Sequence, residues 1–144
     1  MNYEKELIID LPRDRVVELM DNFENLKKWQ PSLKSYEHVS GDVGKEGAVT
    51  MLVYEEKGRE VEMTETIVTR NFPDEFTAIY EGKDVVNRFE NYFYEEGPNK
   101  TRWRTVSDFK FRGFMAVFAL FMRRAFPKQT LSDMERFKVF AENA

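Results

Sequence analysis

The stretch TRWRTVSDFKFRGFMAVFALFMRRAFPKQTLSDMERFKVFAE, residues 101–142, changes rhythm partway along. Over 101–111 the side chains alternate, with Trp103, Thr105, Ser107, Phe109 and Phe111 on one face. That period of two is the pleat of a β-strand. After Gly113 the apolar residues recur at helical spacing instead, and Phe114, Val117, Phe118, Phe121, Met122 and Ala125 share one broad face. Leu131, Met134, Phe137, Phe140 and Ala141 resume the pattern beyond Pro127. The spacing predicts one long C-terminal helix, kinked or broken near Pro127, because proline lacks the N–H that a helix interior needs.

Upstream of this stretch the strand rhythm runs back through most of the chain. Residues 85–95 form a second long strand, joined to 101–111 through Glu96-Gly97-Pro98-Asn99-Lys100, and so short a link calls for an antiparallel hairpin. Residues 48–57 and 59–70 alternate around a hairpin tip at Lys57-Gly58, and 75–81 is bounded by Phe72-Pro73-Asp74 and Gly82-Lys83-Asp84. A strand is also expected from Lys34, and another over 3–11, ending at Pro12. Between these two lie short helices. Val16, Val17, Leu19 and Met20 fall at helical spacing after Pro12, and 23–29 stops before Pro31.

Composition narrows the function. With 144 residues, no repeat and no linker, the expectation is a single domain over 1–144. Aromatic residues make up 15%, including 13 Phe, which need a thick core or a lined cavity to bury them. The net charge is −4 with no basic stripe, which argues against nucleic acid as a partner. Cysteine is absent and His38 stands alone, so disulfides, thiolate chemistry and His- or Cys-rich metal sites are excluded. No metal or cofactor is expected. The start of the chain shows no apolar leader, and the longest apolar run, 113–122, is far short of a bilayer span, so there is no transmembrane segment. A cytoplasmic location follows from these readings.

The order strand, two short helices, antiparallel strands, long helix resembles the SRPBCC superfamily. That group includes polyketide cyclase/dehydrase-like proteins, START lipid-transfer domains and birch-pollen-allergen-like proteins. The resemblance rests on Ile8-Ile9-Asp10-Leu11-Pro12 with Val16-Val17 following, on the run from Asp21 to Pro31, and on the ending from Asp133 to Glu142. It departs where a Gly-Thr pair commonly opens the last strand, since Asn99-Lys100-Thr101 stands here. The resemblance implies an α+β helix-grip fold, a curved six- or seven-stranded antiparallel sheet around the C-terminal helix, enclosing a cavity. It implies much less about function, because the superfamily holds lipid carriers, cyclases, hydrolases and co-chaperones.

Alternation locates candidate cavity residues. If Val61, Met63 and Ile67 face the long helix, Glu65 faces it too. The face with Phe89 and Phe93 carries Asn87 and Asn91, and the face with Trp103 carries Thr105 and Ser107. A packed core does not hold a carboxylate, two amides and two hydroxyls without partners, whereas an aromatic cavity dotted with polar groups does. The expected ligand-binding set is Met63, Glu65, Asn87, Phe89, Asn91, Trp103, Thr105 and Ser107, with Phe118 and Met122 from the helix. The alternative is a register slipped by one, which turns these residues to solvent.

The favoured partner is a small hydrophobic or amphipathic molecule: a lipid, a polyketide or an isoprenoid. One alternative is a cyclase or dehydratase using Glu65 as general acid or base, although no second catalytic group stands at a recognisable spacing. Another is a co-chaperone-like interaction module. The segment 113–122 is apolar nearly all round. The expectation is that it is sandwiched within its own fold, the other covers being a partner subunit, as in a homodimer, or a membrane surface.

Overall fold

A computed structural model describes residues 1–144. Its elements are β1 (Asn2–Ile9), α1 (Arg13–Met20), α2 (Phe23–Trp29), β2 (Leu33–Ser40), β3 (Val49–Glu56), β4 (Arg59–Asn71), β5 (Glu75–Gly82), β6 (Val85–Gly97), β7 (Lys100–Phe111), α3 (Phe114–Phe121) and α4 (Ala125–Glu142). The seven strands form one sheet in the order β1-β7-β6-β5-β4-β3-β2. Every neighbouring pair is antiparallel. After β1 the chain crosses to the far edge through α1 and α2, then returns strand by strand until β7 pairs with β1. This is the expected helix-grip arrangement, and the sheet has seven strands.

Local chemistry places the joints. Asn22 caps α2, its side-chain oxygen accepting from the Glu24 N–H at 2.9 Å. At the β3–β4 tip Lys57 (φ 51°) and Gly58 (φ 77°) are both left-handed, as a two-residue hairpin turn of the favoured hand requires. The β6–β7 hairpin is tighter than the five-residue link expected, because Gly97 already pairs with Lys100 and only Pro98 and Asn99 make the turn. A bulge between Ile67 and Thr69 interrupts the β4–β5 ladder.

The C-terminal helix meets one expectation and departs from another. It is broken into two helices, with the break at residues 122–124, a few residues ahead of Pro127. Pro127 is the third residue of α4, where an N–H has no partner within the helix, so proline is tolerated there. Against expectation, α3 is not sandwiched. Its only buried residue is Ala119, and its large side chains point outward. The turn at 122–124 is the physical reason. It redirects the chain so that α4 packs on β1 and α2, while α3 leans mainly on β7.

The main core gathers at one end of the space between sheet and α4. Ile9, Val16, Val17, Leu19, Trp29, Phe93, Trp103, Met134, Phe137 and Ala141 form one buried cluster. Phe137 of α4 meets Trp29 of α2 and Trp103 of β7 edge-on, with ring centroids 5.2 and 5.3 Å away. Val61 lies at the strand's outer end and is exposed, so the inward face of β4 begins at Met63. On β3 the inward residues are Thr50 and Leu52.

Phe137→Ala is expected to cost about 3–5 kcal/mol of stability, the range for a fully buried ring. Leu120→Ala in α3 should stay within about 0.5 kcal/mol, as at an exposed surface position. Urea unfolding of the two variants checks both.

Candidate functional site

Beyond the aromatic cluster the sheet and α4 enclose a cavity of about 340 Å³, and 17 of its 28 lining residues are apolar. Register explains how the wall is assembled. Directly opposed residues share a face, so the pairs Thr50↔Glu65, Glu65↔Tyr80, Tyr80↔Asn87 and Asn87↔Phe109 form one row across β3 to β7. The next rows bring Leu52 beside Met63, and Ile67 beside Ala78 and Phe89. Met20, Leu26 and Trp29 from the first helices, and Phe126 and Met134 from α4, complete the apolar wall.

Three polar side chains of the sheet wall, Glu65, Tyr80 and Asn87, stand side by side in the first row. Glu65 is only 7% exposed and has no cationic partner; the Tyr80 hydroxyl donates to its Oε2 at 2.8 Å. Burial pushes the Glu65 carboxyl above the usual carboxylate range, and the Tyr80 hydrogen bond holds it partly back. Burial, then the nearby Glu65 charge, pushes the Tyr80 phenol well above its ordinary value. Tyr54 is raised in the same way and donates to Gln30 Oε1 at 2.8 Å. Beside Tyr80, the Asn87 side-chain oxygen is buried with no hydrogen-bond partner.

The other charges are already matched. Arg70, the single cation in the lining, holds Asp21 by donating from both terminal guanidinium nitrogens, at 2.6 and 2.5 Å. Asp133, raised chiefly by burial, accepts from Gln129 at 3.1 Å and from Arg136 at 2.7 Å. No group of three His, Asp or Glu side chains comes together as a metal site would need.

Six of the ten residues expected from the sequence stand in the cavity wall: Met63, Glu65, Asn87, Phe89, Asn91 and Trp103. Within that wall Asn91 is fully engaged. Its nitrogen donates to the Phe76 carbonyl at 3.0 Å, and its oxygen accepts from the Trp103 indole N–H at 3.1 Å. Thr105 and Ser107 face inward as expected but are not in the cavity wall. The Thr105 hydroxyl lies 3.5 Å from the Met134 sulfur, which covers it. Phe118 and Met122 lie outside the cavity, 41% and 40% exposed, because the chain turns between α3 and α4. Sequence reading missed Tyr80, Tyr54, Gln30 and Asp133. Tyr80 was within reach, since the turn after Gly82 fixes it opposite Asn87.

A seven-stranded antiparallel sheet gripping a C-terminal helix over an apolar cavity defines a helix-grip protein of the SRPBCC superfamily. The family model for "Polyketide cyclase / dehydrase and lipid transport" matches residues 2–138, and the chain belongs to that family. No curated protein matches the sequence. Among solved structures, the fold is similar to the Zhui aromatase/cyclase from Streptomyces sp. R1128, with TM-score 0.80, 16% identity, and 99% of this chain and 93% of that chain covered. A START superfamily protein from Mycobacterium smegmatis aligns with TM-score 0.77, 13% identity, and coverage of 99% and 97%. Norcoclaurine synthase from Thalictrum flavum, in complex with dopamine and hydroxybenzaldehyde, gives 0.72, 13%, and coverage of 97% and 85%. At these identities the likeness shows a shared fold and no particular activity.

The raised Glu65 carboxyl has a consequence for stability. Between its ordinary value and its raised one, the folded state holds a proton that the unfolded chain has released. That stabilising contribution is present at acid pH and is lost as pH rises through the folded-state value. Urea unfolding across pH should therefore show wild type falling below Glu65→Gln on the alkaline side and converging with it on the acid side. Parallel curves would contradict a raised carboxyl.

Proposed function

We propose that the protein binds a small hydrophobic or amphipathic molecule of the lipid, polyketide or isoprenoid kind between sheet and C-terminal helix. The observation that carries this reading is the pairing of an aromatic, Met-rich wall with one compact polar row, in which the Asn87 oxygen lacks a donor. The apolar body of the ligand replaces water against Met63, Phe89 and Trp103, where burial contributes roughly 25 cal/mol per Å². A hydroxyl or amine N–H on the ligand supplies the donor that Asn87 lacks. A ligand carboxylate or phosphate fits poorly, because it would meet Glu65 and find Arg70 already committed to Asp21.

A second reading rests on the Tyr80–Glu65 hydrogen bond. A buried carboxyl with a raised pKa, joined to a phenol and facing an apolar cavity, is equipped for general acid–base work on a bound carbonyl or hydroxyl compound. Glu65→Gln and Tyr80→Phe separate the readings, since a carrier keeps binding in both variants and an enzyme loses turnover.

The binding test uses Nile red, an uncharged apolar dye, with displacement followed by fluorescence. Wild type should enhance the dye emission, and Phe89→Arg should abolish the enhancement while retaining native circular dichroism. A long-chain alcohol should displace the dye roughly tenfold or more better than the carboxylate of equal length, a difference of about 1.4 kcal/mol or more. No enhancement, or preferential displacement by the carboxylate, would overturn this reading.

A further inference from the structure

The segment 112–128 carries Arg112, Arg123, Arg124 and Lys128 and not one Asp or Glu, in a chain whose net charge is −4. All four cations are exposed and none forms an ion pair. Asp84 comes near Gly113 at the start of α3, but Lys83 adjoins it in the same turn. Between the cations lies α3, whose large apolar side chains are unburied. Phe114 is 78% exposed, Leu120 69% and Phe121 83%, with Val117 and Phe118 beside them. At about 100° per residue these five span an arc of roughly 160° on the helix, opposite the buried Ala119. Such a continuous exposed apolar surface on a folded chain marks a contact with something outside it.

The charges decide which contact. A second copy docking through α3 by a two-fold axis would bring four unpaired cations against the same four, and like charges oppose that pairing. A negatively charged surface with an apolar interior meets both features at once. We propose that α3 and its basic flanks dock the protein on an anionic lipid surface. Phe114, Leu120 and Phe121 enter the boundary between headgroups and acyl chains, and the four cations meet the headgroups. The helix lies in the interface and does not cross it, since no helix of this chain is long and apolar enough to span a membrane.

Docking there has a geometric consequence for the cavity. Phe126, just beyond the turn that ends α3, lines the cavity and packs against Phe109 and Phe111 at 5.3 and 5.2 Å. The docked lipid surface therefore lies on the side of the cavity walled by Phe109 and Phe126.

Vesicle co-sedimentation tests the proposal. The full chain should sediment with vesicles of phosphatidylcholine and phosphatidylserine, more weakly with phosphatidylcholine alone, and more weakly again at high salt. Arg123→Gln with Arg124→Gln should weaken binding to the anionic vesicles roughly 30-fold. Leu120→Asp with Phe121→Asp should abolish it while leaving Nile red binding in the cavity unchanged, since these side chains are exposed and away from that wall. Absence of vesicle binding in wild type would overturn the proposal. So would equal binding by the double variants, or sedimentation equilibrium showing a dimer that Leu120→Asp with Phe121→Asp dissociates. Nile red reports on the cavity separately, so a failure of the docking surface is not mistaken for a failure of the binding reading.

Discussion

The ring of Phe137, held edge-on between Trp29 and Trp103, is the contact on which the rest of the structure depends. It fixes α4 against both α2 and β7, three elements far apart in sequence. Trp103 is itself immobilised by its indole hydrogen bond to Asn91, and Asn91 is fixed in turn to the Phe76 carbonyl. One connected set of contacts thus runs from α2 through α4 to β7, β6 and β5. Because these large rings fill the space at one end, α4 is held off the sheet at the other, and the cavity is the space that remains. Interiors are close-packed wherever side chains can reach, so an unfilled volume of about 340 Å³ needs a rigid frame to keep it open.

The chemistry of that space follows from its lack of a free cation. Glu65 is buried with a phenol for a partner instead of an arginine, which favours its proton-bearing form. Arg70 and Arg136 neutralise Asp21 and Asp133. What remains open to a ligand is an uncharged or weakly acidic row, Tyr80, Glu65 and Asn87, set into aromatic and thioether surface. On the proposed reading, such a wall selects by hydrogen-bond donors and by the exclusion of anions rather than by ion pairing. Thr105, off the wall, is covered by Met134, and within the wall Tyr3 is held by Thr130 at 2.7 Å.

The fold was legible because its signals are local. The change of period at Gly113, the left-handed hairpin tip at Lys57-Gly58 and the stops at Pro12 and Pro31 each mark a joint that the structure keeps. Alternation also placed Glu65, Asn87 and Phe89 on the inward face, since register along a strand does not depend on distant residues. What the sequence hid was set by tertiary placement. Nothing local shows that Met134 would cover Thr105, or that the chain would turn at 122–124 and leave Phe118 and Met122 outside the cavity. The broad apolar face of 114–125 read as core because helical periodicity reports a one-sided surface without saying what covers it. Tyr80 was not hidden in this way, since the turn after Gly82 sets it opposite Asn87 and the β4–β5 ladder sets it opposite Glu65.

On the proposed reading the space under α4 is a binding site rather than a packing defect. Native mass spectrometry of the freshly purified chain, followed by solvent extraction and identification of what is released, tests it most directly. The expected result is a bound apolar molecule carrying a hydroxyl or amine, absent from protein in which Phe89→Arg fills the cavity. A clean ligand-free mass that stays unchanged after incubation with panels of lipids, polyketides and isoprenoids would contradict it.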